Sequence, residues 1–250
     1  MGQAALRGAG VANDRCHPAL DRRNLSDDFA TDGFVACQAG CKRVKEDLLR
    51  FTPNKLILAS QSPYRAGLLR GAGVTFTAMP AYIDEGAVKR AAILSGQNVA
   101  GTAMQLARLK AEKIAGEHPD ALVIGGDQIL VCGDDWFDKP FDRAEARSHL
   151  RRLRNRSHRL VTATTCLQGA QILWQHIEEP LLTMRDFSDA FLDNYLDAEG
   201  DHATTTVGAY RLEDQGIQLF DRIDGHHSAI VGLPLLPLLG FLRRIGFLPN

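Results

Sequence analysis

The chain has 250 residues, 45% of them hydrophobic and 24% charged, with a formal net charge of -1. That is material for one sizeable core or two lobes sharing a cleft, and the near-zero charge excludes the broad basic field that a long nucleic-acid polymer requires. The longest strongly apolar stretch, Ile230 to Leu242, contains two prolines and is too short to cross a bilayer, so neither nucleic acid nor membrane is an expected partner.

The N-terminus lacks a continuous apolar run and a small-residue cleavage site, which leads to the expectation of a cytoplasmic protein. Five cysteines (Cys16, Cys37, Cys41, Cys132 and Cys166) are an odd number without paired spacing and read as free thiols. Cys37 and Cys41 have no second pair at zinc-site spacing. Residues 1–53 alternate small, charged and turn-forming types with no sustained apolar face, and are expected to be a disordered leader or a misassigned start. The folded domain is expected over 54–250.

Leu56 to Ala59 reads as a short buried strand, followed by Ser60-Gln61-Ser62-Pro63 and a helix over Tyr64 to Gly71. Ser62 is a good N-cap, and Pro63 suits the first turn, where its missing N–H costs nothing. Free amides at such a turn attract anions, so this junction, with Arg65 in its first turn, is a candidate phosphate cradle. Val74 to Met79 reads as a second strand. Tyr82-Ile83-Asp84-Glu85 then places two carboxylates in what reads as a solvated loop. Val99 to Ala115 is an amphipathic helix with Lys110 near its apolar face, where a lysine either snorkels or serves a site.

Ala121 to Val131 joins an apolar run, Gly125-Gly126, Asp127-Gln128 and a second apolar run. The glycines are expected to admit a ligand, and Asp127 is expected where the first strand ends, at a cleft rim. A carboxylate there either caps a turn or ligates a cation or activates water. Asp138-Lys139-Pro140 presents a cation before a helix over Arg143 to Leu153, and Lys139 could neutralise phosphate oxygens. The basic run Arg151 to His158 reads as a solvated helix end, Arg159 to Leu167 as a strand, and Leu181 to Asp186 as its continuation. Ser188 caps a helix containing Phe191, Leu192 and Tyr195. Ile217 to Ile223 reads as a strand, Asp224-Gly225 as a turn, and Leu235 to Ile245 as the last helix. His226 and His227 are adjacent, which on a strand would point them apart and argues against one shared metal ion.

Eight ordered blocks, LILASQSPYRAGLL, YIDE, LARLKAEKIA, VIGGDQILV, KPFDRAEARSHL, SHRLVTA, VGAYRLEDQGIQLFDRIDG and AIVGLPL, resemble the Maf family in order and spacing. The resemblance implies an α/β, two-lobed mixed-sheet fold of the Maf/inosine-triphosphatase type with a central cleft. It implies hydrolysis of a nucleoside triphosphate to the monophosphate and pyrophosphate, as house-cleaning of modified nucleotides. Ser60, Ser62 and Arg65 would bind the triphosphate, and Glu85, Lys110, Asp127 and Lys139 would form the catalytic charge environment. Asp127 matches the family's proton acceptor. Glu85 and Asp127 would ligate a divalent cation, Mg²⁺ or Mn²⁺. The family also implies a homodimer.

Three positions that vary between family branches fall at Tyr64, Gln128 and Glu213, and all three resemble the 7-methyl-GTP branch. Gly208-Ala209-Tyr210 instead resembles the dTTP/UTP branch. Other readings are an inosine-triphosphate-type pyrophosphatase and a nucleotide-binding septum or division regulator without catalysis.

Overall fold

A computed structural model describes residues 55–249, so the expected leader and Cys16, Cys37 and Cys41 lie outside the described residues. The fold is mixed α/β. Eight strands, β1 (Leu56–Leu58), β2 (Thr77–Ala78), β3 (Leu122–Cys132), β4 (Asp135–Phe137), β5 (Ser157–Gln168), β6 (Gln171–Glu178), β7 (Leu181–Met184) and β8 (Phe220–Asp224), form one sheet. The helices are α1 (Pro63–Gly71), α2 (Glu85–Ser95), α3 (Val99–Glu117), α4 (Arg143–Leu153), α5 (Asp189–Glu199), α6 (His227–Ile230) and α7 (Leu235–Arg244), with three short 3₁₀ turns between α5 and β8.

The sheet runs β2-β1-β3-β5-β7-β8, with β4 on β3 and β6 on β5. Among the described residues, two long strands, β3 and β5, join two groups of packed elements, or lobes. The first half of β3 pairs in parallel with β1 (Leu56 opposite Leu122), its far end pairs with β4, and β5 runs antiparallel along nearly its whole length. β5 in turn gives its C-terminal half to β6 and its N-terminal end to β7. One lobe gathers β1, β2, α1 and α7 on one face, with Leu56, Leu69, Leu122, Phe241 and Leu242 in its core, while α3 covers the other through Ala107, Ala111 and Ile114. The second lobe packs α4, α5 and the 3₁₀ turns around Phe137, Leu150, Leu153, Leu182, Leu196 and Tyr210.

Local chemistry accounts for the helix starts. The side chains of Ser62, Asp84, Asn98, Asp142 and Ser188 each accept a backbone N–H three residues on, capping α1, α2, α3, α4 and α5. Each such cap contributes about 1 kcal/mol.

Several expectations are corrected. Asp84-Glu85 is not a loop but the cap and first residue of α2. Asp127 does not stand at a strand end: β3 runs unbroken through the glycines because β5 supplies a partner at every step, Gly126 opposite Thr164 and Asp127 opposite Ala163. Strand pairing in the expected 74–79 segment is confined to Thr77–Ala78, and β7 stops at Met184. The expected strand from Ile217 begins instead as the 3₁₀ turn Gln215–Leu219, opened by the Asp214 carboxylate accepting from the Gln215 N–H; β8 follows at Phe220. β6 is a further strand, joined to β5 by a turn with Gly169 at φ 54°. Cys132 and Cys166 are buried free thiols, and among the described residues no helix is long and apolar enough to cross a membrane.

Candidate functional site

A cleft of about 440 Å³ is lined by Ser62, Tyr64 and Arg65 at the start of α1, Glu85 and Lys89 on α2, Lys110 on α3 and Asp127 and Gln128 in β3. Asp138 and Lys139 after β4, Thr205 to Val207 and Val231 complete its wall. The chain thus converges on the middle of β3, where the two lobes share the sheet.

At its floor Lys110 is buried, and its Nζ donates to Asp127 Oδ1 at 2.6 Å and pairs with Glu85 Oε1 at 2.7 Å. The stem of Lys110 lies among the apolar residues of α3, and its ammonium, far from snorkelling into water, is enclosed by two carboxylates. Asp127 is only 4% exposed, and its second oxygen, Oδ2, has no hydrogen-bond partner in the protein. Glu85 is half exposed. Burial raises its pKa, yet Lys110 foremost, with Lys89 and Lys139, brings the net shift below the ordinary glutamate value.

Arg65 is aimed by its surroundings. Its Nε donates to the Gly232 carbonyl at 2.7 Å and its Nη1 to Ser60 Oγ at 3.3 Å. Burial lowers its pKa, opposed by the charges of Asp127 and Glu85. Ser60 lies one layer behind the cleft wall, where its hydroxyl accepts from Arg65 and from the Ser62 N–H at 3.1 Å. Lys139 has no ion-pair partner among the described residues. Burial depresses its pKa, Arg65 and Lys110 push it further down, and Glu85 and Asp127 pull it back.

The two glycines divide their work. A Cβ on Gly125 would lie 2.1 Å from the Ala107 carbonyl, so this glycine lets α3 press onto β3 and does not face a ligand as expected. Gly126 faces the other way, 3.4 Å from Arg65 Nε, because successive strand residues alternate sides.

Tyr64, Gln128 and Glu213 border one small recess opening beside the cleft, together with Thr206, Val207 and Val231. The Gln128 side-chain amide nitrogen donates to Thr162 Oγ1 at 2.8 Å and to the carbonyls of Ala229 and Ile230 at 3.0 Å each. Both its hydrogens are engaged in holding α6 against β5, leaving only its carbonyl oxygen for a ligand. The Tyr64 hydroxyl is 3.2 Å from Thr205 Oγ1.

Sequence reasoning thus located Ser62, Tyr64, Arg65, Glu85, Lys110, Asp127, Gln128 and Lys139 in one cleft, with Glu213 in its annex. It missed Lys89, Asp138 and the Thr205 to Val207 segment. Lys89 was findable, since it follows Glu85 by four residues and shares its side of a helix once α2 is recognised. Thr205 and Thr206 lie between the 3₁₀ turns Gly200–Thr204 and Val207–Ala209, a stretch with no periodic signal.

The arrangement defines an α/β protein with a cleft lined by four cations, Arg65, Lys89, Lys110 and Lys139, and a buried carboxylate, Asp127. The family model described as Maf-like protein matches residues 55–245. Among curated relatives, a protein of Granulibacter bethesdensis named nucleoside triphosphate pyrophosphatase is 51% identical over 190 residues, 76% of this chain and 96% of the relative. A protein of Rhodospirillum rubrum with the same name is 49% identical (77% and 96% covered), and one of Rhizobium etli named 7-methyl-GTP pyrophosphatase is 45% identical (77% and 96%). The chain belongs to the Maf family.

Proposed function

We propose that the chain hydrolyses a nucleoside triphosphate at its α-phosphate, releasing the monophosphate and pyrophosphate. The observation that carries this is the buried Asp127, with one oxygen fixed by Lys110 and the other unpartnered at a cleft lined with cations. A base for water must be oriented and still have a lone pair to use. Asp127 meets both conditions. The relatives of Granulibacter bethesdensis and Rhodospirillum rubrum carry the corresponding name.

In this reading Ser62, with Ser60 behind it, and Arg65 and Lys139 hold the triphosphate oxygens and stabilise charge that builds in the transition state. Lys110 holds Asp127 Oδ1 and so aims the carboxylate. Asp127 Oδ2 takes the proton of the attacking water. Glu85 and Asp127 also suit a divalent cation such as Mg²⁺ or Mn²⁺: both are hard oxygen donors on one ammonium, and Asp127 Oδ2 has spare lone pairs. Among the described residues no group of three or more candidate ligands occurs, so the remaining oxygens would come from phosphate and water. Such a cation would offset charge on the α- and β-phosphates.

The base we favour is 7-methylguanine. Its methylated ring is cationic, which suits stacking on Tyr64 and the charge of Glu213. The engaged amide of Gln128 leaves an acceptor, matching a base edge that donates N–H. The name of the Rhizobium etli relative supports the same choice. Purified protein with Mg²⁺ or Mn²⁺, presented with 7-methyl-GTP, GTP, dTTP, UTP, CTP and ITP, should release pyrophosphate fastest from 7-methyl-GTP, and Glu213→Gln should weaken that substrate more than the others. Equal losses across the panel would remove the charge argument. Absence of turnover with every nucleotide would leave a nucleotide-binding regulator instead.

A further inference from the structure

The four cations of the cleft are unequally committed. Lys110 is enclosed by Glu85 and Asp127, and Arg65 is tied to Gly232 and Ser60. Lys139 carries no ion pair among the described residues. Lys89 is the fourth. It stands one turn beyond Glu85 on α2, its side chain only 12% exposed, and it reaches across the cleft to the Asp138 carboxylate on the opposite lobe, immediately before Lys139. Asp138 is itself 71% exposed.

That pairing is lopsided. A nearly buried cation lining an anion-binding cleft has as its partner a carboxylate that water solvates equally well. Ion pairs with an exposed member are weak, because solvent screens them and side-chain entropy opposes them. A phosphate oxygen offered to the same ammonium forms a stronger charge-assisted bond. The charge balance points the same way. Arg65, Lys89, Lys110 and Lys139 against Glu85, Asp127 and Asp138 leave a single positive charge in excess among the groups lining the cleft, whereas a nucleoside triphosphate brings roughly four negative ones. Returning Asp138 to water raises the excess by one where the anion sits.

We propose that Lys89 is a further substrate-binding residue, which exchanges Asp138 for an oxygen of the triphosphate chain. Asp138 serves as its stand-in partner, keeping the ammonium extended across the cleft until substrate arrives. This assignment rests on the pyrophosphatase reading above.

The test compares Lys89→Ala, Lys89→Arg and Asp138→Asn in steady-state hydrolysis, with pyrophosphate binding measured by calorimetry as an independent readout. Lys89→Ala should raise KM about tenfold with kcat within about threefold, as loss of one charged hydrogen bond in ground and transition states alike would do. Lys89→Arg should restore KM to within about threefold of the parent value. Asp138→Asn removes the competitor and should lower KM by roughly two- to fivefold, the range expected for an exposed ion pair. Pyrophosphate affinity should follow the same order. The proposal is overturned if Lys89→Ala leaves KM unchanged, or if Asp138→Asn raises KM as much as Lys89→Ala does, which would make the pair a latch between lobes. Wild-type protein that releases no pyrophosphate from any nucleotide would instead overturn the function itself.

Discussion

Replacing Asp127 by asparagine separates the chemistry of the cleft from its architecture. The amide is nearly isosteric, and its oxygen can still accept from Lys110 Nζ, which lies 2.6 Å from the native Oδ1. Glu85, 2.7 Å from the same ammonium, continues to neutralise it. What is lost is the negative charge and the free oxygen, since the new NH₂ occupies the place of Oδ2, where no protein acceptor waits. An unsatisfied buried donor costs about 1–3 kcal/mol, which for a domain of this size lowers Tm by roughly 2–10 °C. Removing a general base costs about 10²- to 10⁴-fold in rate, or roughly 3–5 kcal/mol of barrier. The variant should therefore remain folded at 25 °C while kcat for pyrophosphate release falls at least about a hundredfold. Parallel melting curves and steady-state assays decide the matter. A folded variant that kept a tenth or more of the parental kcat would refute the role given to this carboxylate.

Three further outcomes follow from the packing and the charges. Gly125→Ala would drive a methyl group to 2.1 Å from the Ala107 carbonyl, so it should cost about 3 kcal/mol or more and lower Tm sharply, whereas Gly126→Ala, with its nearest contact at 3.4 Å, should melt close to the parent; equal melting of the two would contradict the assigned faces of β3. His158 is buried against Tyr210, and burial lowers its pKa to about 4 from the usual 6.5, so the unfolded chain binds the extra proton between those values. Its contribution is whole above pH 6.5 and disappears as pH falls towards 4, a loss of about 3 kcal/mol that denaturant titrations of the wild type should show and His158→Gln should not. Lys139, whose pKa burial and its cationic neighbours depress, should lose its charge below the ordinary lysine range. The alkaline limb of kcat/KM should therefore move to higher pH in Lys139→Arg, and a limb that stays in place would exclude Lys139 as its source.

Much of this was readable from residue order, where one local rule dominated. Ser62-Pro63 opens α1 as capping chemistry requires, and α4 spans Arg143–Leu153 as expected because its polar and apolar faces alternate strongly. α2 escaped notice because its only fully buried apolar residue is Ala92, while Ile93 and Leu94 are left in solvent. Ile217-Gln218-Leu219 alternates like a strand, but only Leu219 is buried and the segment closes as a 3₁₀ turn. The candidate site residues came as a set from the resemblance of the eight ordered blocks to the Maf family. Locally only the Ser62-Pro63 helix start and the lysine on the apolar face of α3 stood out, and Asp127 was expected at a strand end that β3 does not have there. Their partners were not. That Gln128 spends its amide on α6, that Gly125 faces α3 and Gly126 the Arg65 side chain, and that Lys89 crosses to Asp138 depend on contacts between segments far apart in the chain, which no local pattern encodes.

Everything proposed for the cleft that holds Asp127 depends on water attacking the α-phosphate. Hydrolysis of 7-methyl-GTP in ¹⁸O-labelled water, with both products weighed by mass spectrometry, tests it in a single reaction. Attack at the α-phosphate gives nucleoside monophosphate carrying the label and pyrophosphate without it. Label in the pyrophosphate, or diphosphate and inorganic phosphate as the products, would contradict it.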